Sequence, residues 1–347
     1  MQQRVTMKTI AEEAGVSPAT VSNVLNGKDK HVSQETIARI TAIAARLGYQ
    51  PLRNRAKSVR HLPCLGVITY NVTSPFFAAG LNGILTVADR LGFSVIVQSD
   101  FGREHQEINA AQMLIEQGVD GVVFLSSSAY SRDAAFKALV EAGIPIAVVN
   151  RLIDPDVAFH ALIDNEQGGY IATQHLIELG HKNIGNIHMQ ANGPGATQAA
   201  ADRLRGYYRA LADYGLQPNP AWVSAGVGSD SATSHDVISH AIARRILSAR
   251  SHPTALLCGT DYLAAGAMRA ISGEGLRIPE DIAVVGCDNT VIAAYTAPTL
   301  TSIQLPLEQA AARAAEALIH AVWRGEKLHG VERFPCTLVV RDSTTIH

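Results

Sequence analysis

The first 60 residues carry side chains suited to binding a polyanion. They contain ten Lys or Arg and four Asp or Glu, which gives a net charge of +6. The other 287 residues carry 19 basic and 27 acidic side chains, which gives a net charge of −8. A basic segment on a mildly acidic remainder is typical of a nucleic-acid-binding module. Polar side chains here suit contacts to phosphates, although helix capping explains each hydroxyl equally well. The candidate contacts are Thr9, Ser17, Thr20, Ser22, Asn26, His31 and Ser33.

Three further residues in this segment have side chains that can contact base edges. Asn23 can pair bidentately with adenine, whereas Pro18 and Ala19 offer only apolar contacts, for instance to a thymine methyl group. We therefore expect residues 18–23 to read sequence.

A second set of polar residues follows predicted β-strands. In open α/β sheets, ligands bind beyond the carboxyl ends of the strands, where directed donors and acceptors suit ligand hydroxyl groups. For any single residue a capping role is as reasonable, above all for Asp164, Asp261 and Asp288. The candidate ligand-binding residues are Asn71, Phe76, Phe77, Ser127, Asn150, Arg151, Asp164, Arg203, Thr260, Asp261 and Asp288.

The basic segment is predicted to form three short helices between residues 8 and 47, which position its side chains. Thr9 and Glu12 have the spacing of a capping box, and Pro18 falls at a first helical position after Ser17. Gly15 separates the first two helices, which gives the outline of a helix-turn-helix unit. The predicted core comprises Ile10, Ala11, Val16, Val21, Val24, Ile37 and Ile40.

The rest of the chain alternates short β-branched runs with amphipathic helical stretches. Strict β–α alternation predicts parallel sheets with helices on both faces, and there are enough strands for two lobes. The predicted strands are 65–69, 94–98, 121–125, 144–149, 161–164, 184–188, 222–225, 255–258, 282–286 and 301–304.

The predicted fold is thus a small all-α helix-turn-helix head followed by two doubly wound α/β lobes with a ligand cleft between them. The head covers residues 1–49, a hinge segment 50–61, and an effector-binding and dimerisation domain 62–347. We expect three crossovers between the lobes. They divide the body into a first lobe of approximately 62–163 and 295–324 and a second lobe of approximately 165–293 and 326–347.

Two regions of the chain resemble a known family. The run TIAEEAGVSPATVSNVLNG, residues 9–27, closely resembles the headpiece of the lactose/galactose repressor (LacI/GalR) family. Residues 261–267 and 275–289 resemble the family's effector domain, which is itself similar to periplasmic sugar-binding proteins. In the family's pattern, the short hydroxyl positions of the head face the DNA backbone.

The resemblance implies a ligand-responsive transcriptional repressor. We expect it to bind a near-palindromic operator in double-stranded DNA as a homodimer, and to be switched by a small polar effector, a sugar or sugar derivative. A regulator of the same architecture that responds to a purine or another metabolite is the alternative. A sugar-binding protein is disfavoured, because it would require an export signal and no basic head.

The hinge segment departs from the family's pattern. In the family the matching stretch folds on DNA and inserts an apolar side chain, usually leucine, into the minor groove. The position seven residues after Pro51 is Ser58, and the first apolar residue is Val59. Either the hinge carries one extra residue or the smaller Val59 is the wedge, and we expect the basic hinge residues Arg53, Arg55 and Lys57 to contact phosphates.

The resemblance also bears on ligand identity. In the family, the residues matching Arg203 and Asp288 hold polar groups of the ligand. Thr260 stands where sugar-inducible members often carry asparagine, and residues 226–229 lack the aromatic plate of some members. Stacking is therefore expected only from Phe76 or Phe77, which favours a carbohydrate over a purine.

Other function classes lack their motifs. The chain has no GxSxG, GxGxxG, P-loop or HExxH sequence, and its four cysteines form no CxxC pair, so we expect no catalysis, cofactor or metal. No apolar run is long enough to span a bilayer and no leader is evident, which predicts a cytoplasmic, nucleoid-associated protein without membrane contact. The C-terminal residues form no leucine heptad, which predicts a dimer rather than a tetramer.

Overall fold

The computed structural model describes residues 7–25, 32–46, 62–125, 134–191, 196–225, 235–249 and 251–345. The chain divides into two compact units, Met1–Leu62 and Pro63–His347. Seven predicted contact residues lie outside the described residues: Asn26, His31, Arg53, Arg55, Lys57, Val59 and Ser127.

The head contains three helices: α1 (Met7–Ala14), α2 (Pro18–Leu25) and α3 (Gln34–Arg46). They meet around Ile10, Val21 and Ile40, whose side chains are fully buried. Gly15 adopts a φ of +64°, a conformation that glycine tolerates without strain, and so allows the tight turn into α2. The predicted helical head is confirmed.

The body contains two sheets covered by helices. The first-lobe elements are β1 (Cys64–Thr69), α4 (Pro75–Arg90), β2 (Ser94–Ser99), α5 (Glu104–Gln117), β3 (Gly121–Leu125), α6 (Ala134–Glu141), β4 (Ile146–Val149), β5 (Phe159–Ile163), α12 (Leu307–Arg324) and β11 (Gly330–Phe334). The second-lobe elements are α7 (Asn165–Glu178), β6 (Ile184–His188), α8 (Gln198–Asp213), β7 (Val223–Ala225), α9 (His235–Leu247), β8 (Ala255–Cys258), α10 (Asp261–Gly273), β9 (Ala283–Cys287), α11 (Val291–Tyr295), β10 (Thr301–Gln304) and β12 (Thr337–Val339).

The strand order is β11-β5-β4-β3-β1-β2 in the first lobe and β12-β10-β9-β8-β6-β7 in the second. Every pair in the first sheet is parallel. In the second sheet β12 runs antiparallel to β10, whereas the other strands pair in parallel. The predicted two α/β lobes are confirmed, with one antiparallel edge strand added.

The predicted lobe bounds need correction near the C-terminus. Strand β10 pairs with β9 and belongs to the second lobe, and β11 pairs with β5 and belongs to the first. The three crossovers therefore lie at residues 164, 305–306 and 335–336, not near Tyr295 or Gly325. Strands β11 and β12 escaped prediction because they are partly exposed edge strands, and the charged Glu332 and Arg333 break the apolar pattern of β11.

Candidate functional site

The predicted base-contacting residues of the head lie at exposed positions of α2. Pro18, Ala19 and Asn23 are exposed on α2, whereas Val21 and Val24 of the same helix are buried against the head's core. A helix of about 10–12 Å diameter with one packed face leaves its opposite face free to enter a major groove.

Two serine hydroxyl groups of the head act as helix caps and remain accessible to solvent. Ser17 accepts the N–H of Thr20 at 3.1 Å and Ser33 accepts that of Thr36 at 3.3 Å, so both serines are N-caps, and both remain exposed. Thr9 lies inside α1, which begins at Met7. The capping box predicted from Thr9 and Glu12 is therefore wrong.

A cleft with a cavity volume of about 110 Å³ lies between the two lobes. Its walls are the segments that follow the carboxyl ends of β1, β4, β6, β8 and β9, together with the first turns of α4, α8, α9 and α10. The lining residues are Tyr70, Ser74, Phe76, Phe77, Asn150, Met189, Thr197, Ala199, Arg203, His235, Thr260, Tyr262, Asp288 and Thr290. Six of the predicted ligand-binding residues lie here: Phe76, Phe77, Asn150, Arg203, Thr260 and Asp288.

Two of the predicted ligand-binding residues are occupied by contacts in the first lobe. Arg151 is buried and forms an ion pair with Glu107 at 2.9 Å, with its guanidinium 5.4 Å from the centre of the Phe136 ring. The Oδ1 atom of Asn71 accepts the N–H and the hydroxyl of Thr73, each at 2.8 Å. Neither side chain lines the cleft.

Two predicted aspartates stabilise local structure instead. Asp164 is the N-cap of α7 and accepts the N–H of Gln167 at 3.0 Å. Asp261 is fully buried and accepts three hydrogen bonds, from the N–H (2.6 Å) and hydroxyl (2.9 Å) of Thr290 and from the hydroxyl of Ser302 (2.5 Å). Burial raises the pKa of Asp261 to about 6, although these hydrogen bonds oppose the shift.

Backbone conformation marks the two strand ends that face each other across the cleft. Asn150 follows β4 with a φ of +57°, and Asp288 and Asn289 follow β9 with φ of +103° and +47°. Residues other than glycine rarely occupy this region, and such strain concentrates at functional sites. Two of these three residues, Asn150 and Asp288, line the cleft.

The charged groups of the cleft lie in its second-lobe wall. Burial raises the pKa of Asp288 well above its usual range, repulsion from Asp261 raises it further, and Arg203 opposes both effects. Arg203 donates from Nη1 to Asn165 at 2.6 Å, and its buried Nε has no hydrogen-bond partner among the described residues. A guanidinium N–H and a carboxyl group are therefore available to a polar ligand.

Aromatic rings line the cleft from both lobes. The Tyr70 and Phe76 rings lie 5.4 and 5.2 Å from Phe77 in the first lobe. The second lobe contributes Tyr262, 38% exposed, and His235, whose pKa is lowered by burial. The expectation that rings come only from the first lobe is therefore wrong, because residues outside 226–229 supply them.

Several other lining residues were missed because their local roles hide them. Thr197 caps α8 through a hydrogen bond of 3.1 Å from the N–H of Ala200 and also faces the cleft, as does Thr260, which was predicted and caps α10 in the same way. The one available signal was position, since Tyr262 and His235 lie in the first turns of helices that follow second-lobe strands.

Among the described residues, no group of three His, Cys, Asp or Glu side chains could hold a metal ion. Within the same ranges no helix is long and apolar enough to cross a membrane.

Comparison with known proteins agrees with this architecture. Residues 6–52 match the model of bacterial regulatory proteins of the lacI family, and residues 173–344 match a periplasmic binding protein-like domain. The HTH-type transcriptional repressor PurR of Aliivibrio salmonicida is 32% identical over 91% of this chain and 92% of its own.

Two solved structures cover nearly the whole chain. The transcriptional regulator CelR in complex with cellobiose is 28% identical, with a TM-score of 0.71 over 98% of this chain and all of the other. The Lac repressor dimer bound to operator and the anti-inducer ONPF is 27% identical, with a TM-score of 0.69 over 99% of this chain and all of the other. The helix-turn-helix head, the two-lobed body and these similarities show that the chain belongs to the lacI family of bacterial regulatory proteins.

Proposed function

We propose that the protein is a dimeric transcriptional repressor that binds a near-palindromic operator and responds to a small polar effector in the lobe cleft. It acts on DNA in the cytoplasm and has no catalytic role. The observation that carries the proposal is the coexistence in one chain of an exposed reading face on α2 and a polar cleft at the carboxyl ends of two parallel sheets.

The favoured effector is a carbohydrate. Asn150, Thr260 and Thr290 present amide and hydroxyl groups, and Arg203 and Asp288 add one donor group and one carboxyl, a set that suits several ligand hydroxyls. The cellobiose complex of the similar regulator CelR supports this class. The small net charge of this set favours a neutral ligand.

A purine is the second candidate effector. Rings on both walls of the cleft, among them Phe76 and Tyr262, offer faces against which a flat heterocycle stacks. The similarity to the repressor PurR is compatible with this alternative.

The effector acts through the three crossovers between the lobes. Three connections permit closure about the cleft while restricting other movements, and a ligand held by both lobes stabilises one arrangement. The first lobe follows directly from the hinge segment in sequence, so a change in its arrangement alters the hinge. A tenfold change in operator affinity requires a coupling free energy of only about 1.4 kcal/mol.

Selection of binding sites from a pool of random-sequence DNA tests the DNA-binding part of this proposal. The full chain should enrich a near-palindromic site, and its affinity should fall steeply with salt because phosphate contacts release counterions. Light scattering should show a protein dimer both in complex with the selected DNA site and in the absence of DNA. Equal affinity for the selected site and random DNA at physiological salt would overturn the proposal.

The effector is tested by thermal unfolding of the full chain with cellobiose, D-ribose, guanine or hypoxanthine. A compound at about 100 times its Kd stabilises the protein by about 2.7 kcal/mol and should change affinity for the selected site. The Asp288→Ala variant should lose this response yet still bind DNA, whereas Asn71→Ala, outside the cleft wall, should keep it. An unchanged response in Asp288→Ala would show that the cleft is not the effector site.

A further inference from the structure

One buried amide connects the two walls of the cleft. Asn165 begins α7 directly after the first crossover, and 3% of its surface is exposed. Its Oδ1 accepts a hydrogen bond from Nη1 of Arg203 at 2.6 Å. Its Nδ2 donates to Oδ1 of Asn150 at 2.7 Å and to the backbone oxygen of Ile163 at 3.1 Å. Asn150 belongs to the first lobe and Arg203 to the second, so these hydrogen bonds link the two lobes.

The chemistry of the partners allows only one orientation of this amide. A guanidinium has donors and no acceptor, so the group facing Arg203 must be the oxygen. A backbone carbonyl only accepts, so the group facing Ile163 must be the NH₂. A reversed amide would lose both contacts, which costs more in a buried site than at the surface.

The packing of α7 on α8 holds Asn165 and Arg203 at a fixed separation. Gly169 of α7 lies against the backbone oxygen of Arg203, and Gly206 of α8 lies against that of Glu166. A side chain at either glycine would overlap the backbone of the other helix. The hydrogen bond between Asn165 and Arg203 is therefore pre-organised by backbone contact.

The two residues joined by Asn165 are both directed at the cleft, whereas Asn165 itself does not line it. The Nε of Arg203 is buried without a hydrogen-bond partner among the described residues, which leaves it available to a ligand. Asn150 holds a φ of +57°, and the hydrogen bond from Asn165 fixes its side-chain oxygen. The positions of both groups thus depend on one side chain.

We propose that Asn165 is a positioning residue that orients the Arg203 guanidinium in the cleft and ties it to Asn150 of the opposite lobe. Its role in effector affinity rests on the proposed function of the cleft. Its role in ordering Arg203 does not require an effector. The two roles can therefore be tested separately.

The first test needs no effector. Full-length protein labelled with ¹⁵N-arginine should show a slowly exchanging guanidinium resonance for Arg203, assigned by its loss in Arg203→Lys. Asn165→Ala should abolish it. Asn165→Asp should retain it, because a carboxylate still accepts from Arg203, although it no longer donates to Asn150 or Ile163. Thr173→Val is the matched control, since it removes another buried α7 hydrogen bond, that of the Thr173 hydroxyl to the Gly169 oxygen at 2.8 Å.

The second test measures effector affinity by calorimetry, with whichever of cellobiose, D-ribose, guanine or hypoxanthine binds the wild type. Asn165→Ala should weaken binding about tenfold or more, with Asn165→Asp between it and the wild type and Thr173→Val within twofold. A guanidinium resonance that persists in Asn165→Ala, or an affinity unchanged in that variant, would overturn the proposal. Failure of all four compounds with the wild type would count against the proposed effector class, and the resonance test would still decide the role of Asn165.

Discussion

The head and the cleft use the same kinds of polar side chain under opposite constraints. In the head, Ser17 and Ser33 cap helices and remain exposed, so each hydroxyl stabilises the fold and is still accessible to a binding partner. In the body, Arg151 and Asp261 are buried in contacts that leave nothing for a ligand. The difference arises because a short surface helix buries one face only, whereas a residue beyond a strand end is surrounded on several sides.

This comparison predicts that substitutions at buried body residues change folding, whereas substitutions at exposed head residues change DNA binding.

Arg151→Ala should destabilise the protein by about 3–5 kcal/mol, because it leaves the Glu107 carboxylate buried without its ion-pair partner. Urea unfolding measures the change. The double variant Glu107→Leu with Arg151→Met should recover most of the loss, since it buries no charge. A loss of effector affinity without loss of stability in Arg151→Ala would contradict this prediction and show that Arg151 contributes to effector binding.

The free energy of unfolding should fall between pH 4 and pH 7 in part because of Asp261. Its folded-state pKa, about 6, lies above the usual value of 3.8, so its stabilising protonated form is present at low pH and lost as the pH rises through 6. The shift corresponds to about 3 kcal/mol as an upper value. Urea titrations at several pH values should show this decline in the wild type and not in Asp261→Asn. Parallel profiles for the two proteins would contradict the assignment.

Asn23→Ala should cost about 1–3 kcal/mol of affinity for the selected operator and relax preference at one base pair in each half-site. Because Asn23 is exposed, the melting temperature should not change. Fluorescence anisotropy with operator variants measures the effect, with the exposed Ala42→Ser on α3 as control. A lower melting temperature with unaltered base preference would place Asn23 among the structural residues.

Two substitutions at Ser17 distinguish its contribution to stability from its contribution to DNA binding. Ser17→Ala removes the cap of α2 and should cost about 1 kcal/mol of stability. Ser17→Asp retains a capping oxygen, so stability should be nearly unchanged, but its charge repels phosphate and operator affinity should fall. Thermal unfolding and anisotropy on the same samples distinguish the two effects. Equal operator affinity in Ser17→Asp and wild type would show that Ser17 acts only as a cap.

The sequence determined most of the elements and their order, the edge strands β11 and β12 excepted, because strand and helix periodicity and capping residues act locally. Strands such as Gly121–Leu125 and Ile184–His188 have the predicted bounds, and the helix-turn-helix follows from turn and capping residues within a few positions of each other. It also indicated the general location of the cleft, since parallel strands direct their carboxyl ends to one edge.

The tertiary structure alone decided which polar residues face the cleft and which lobe receives each C-terminal strand. Asp261 and Asp288 both follow buried strands, yet Asp261 is enclosed by Thr290 and Ser302 whereas Asp288 reaches the cleft. Strand β11 pairs with β5, more than 160 residues earlier in the chain. Such choices depend on contacts between distant segments, whose free energies of pairing and burial do not appear in any local pattern of residues.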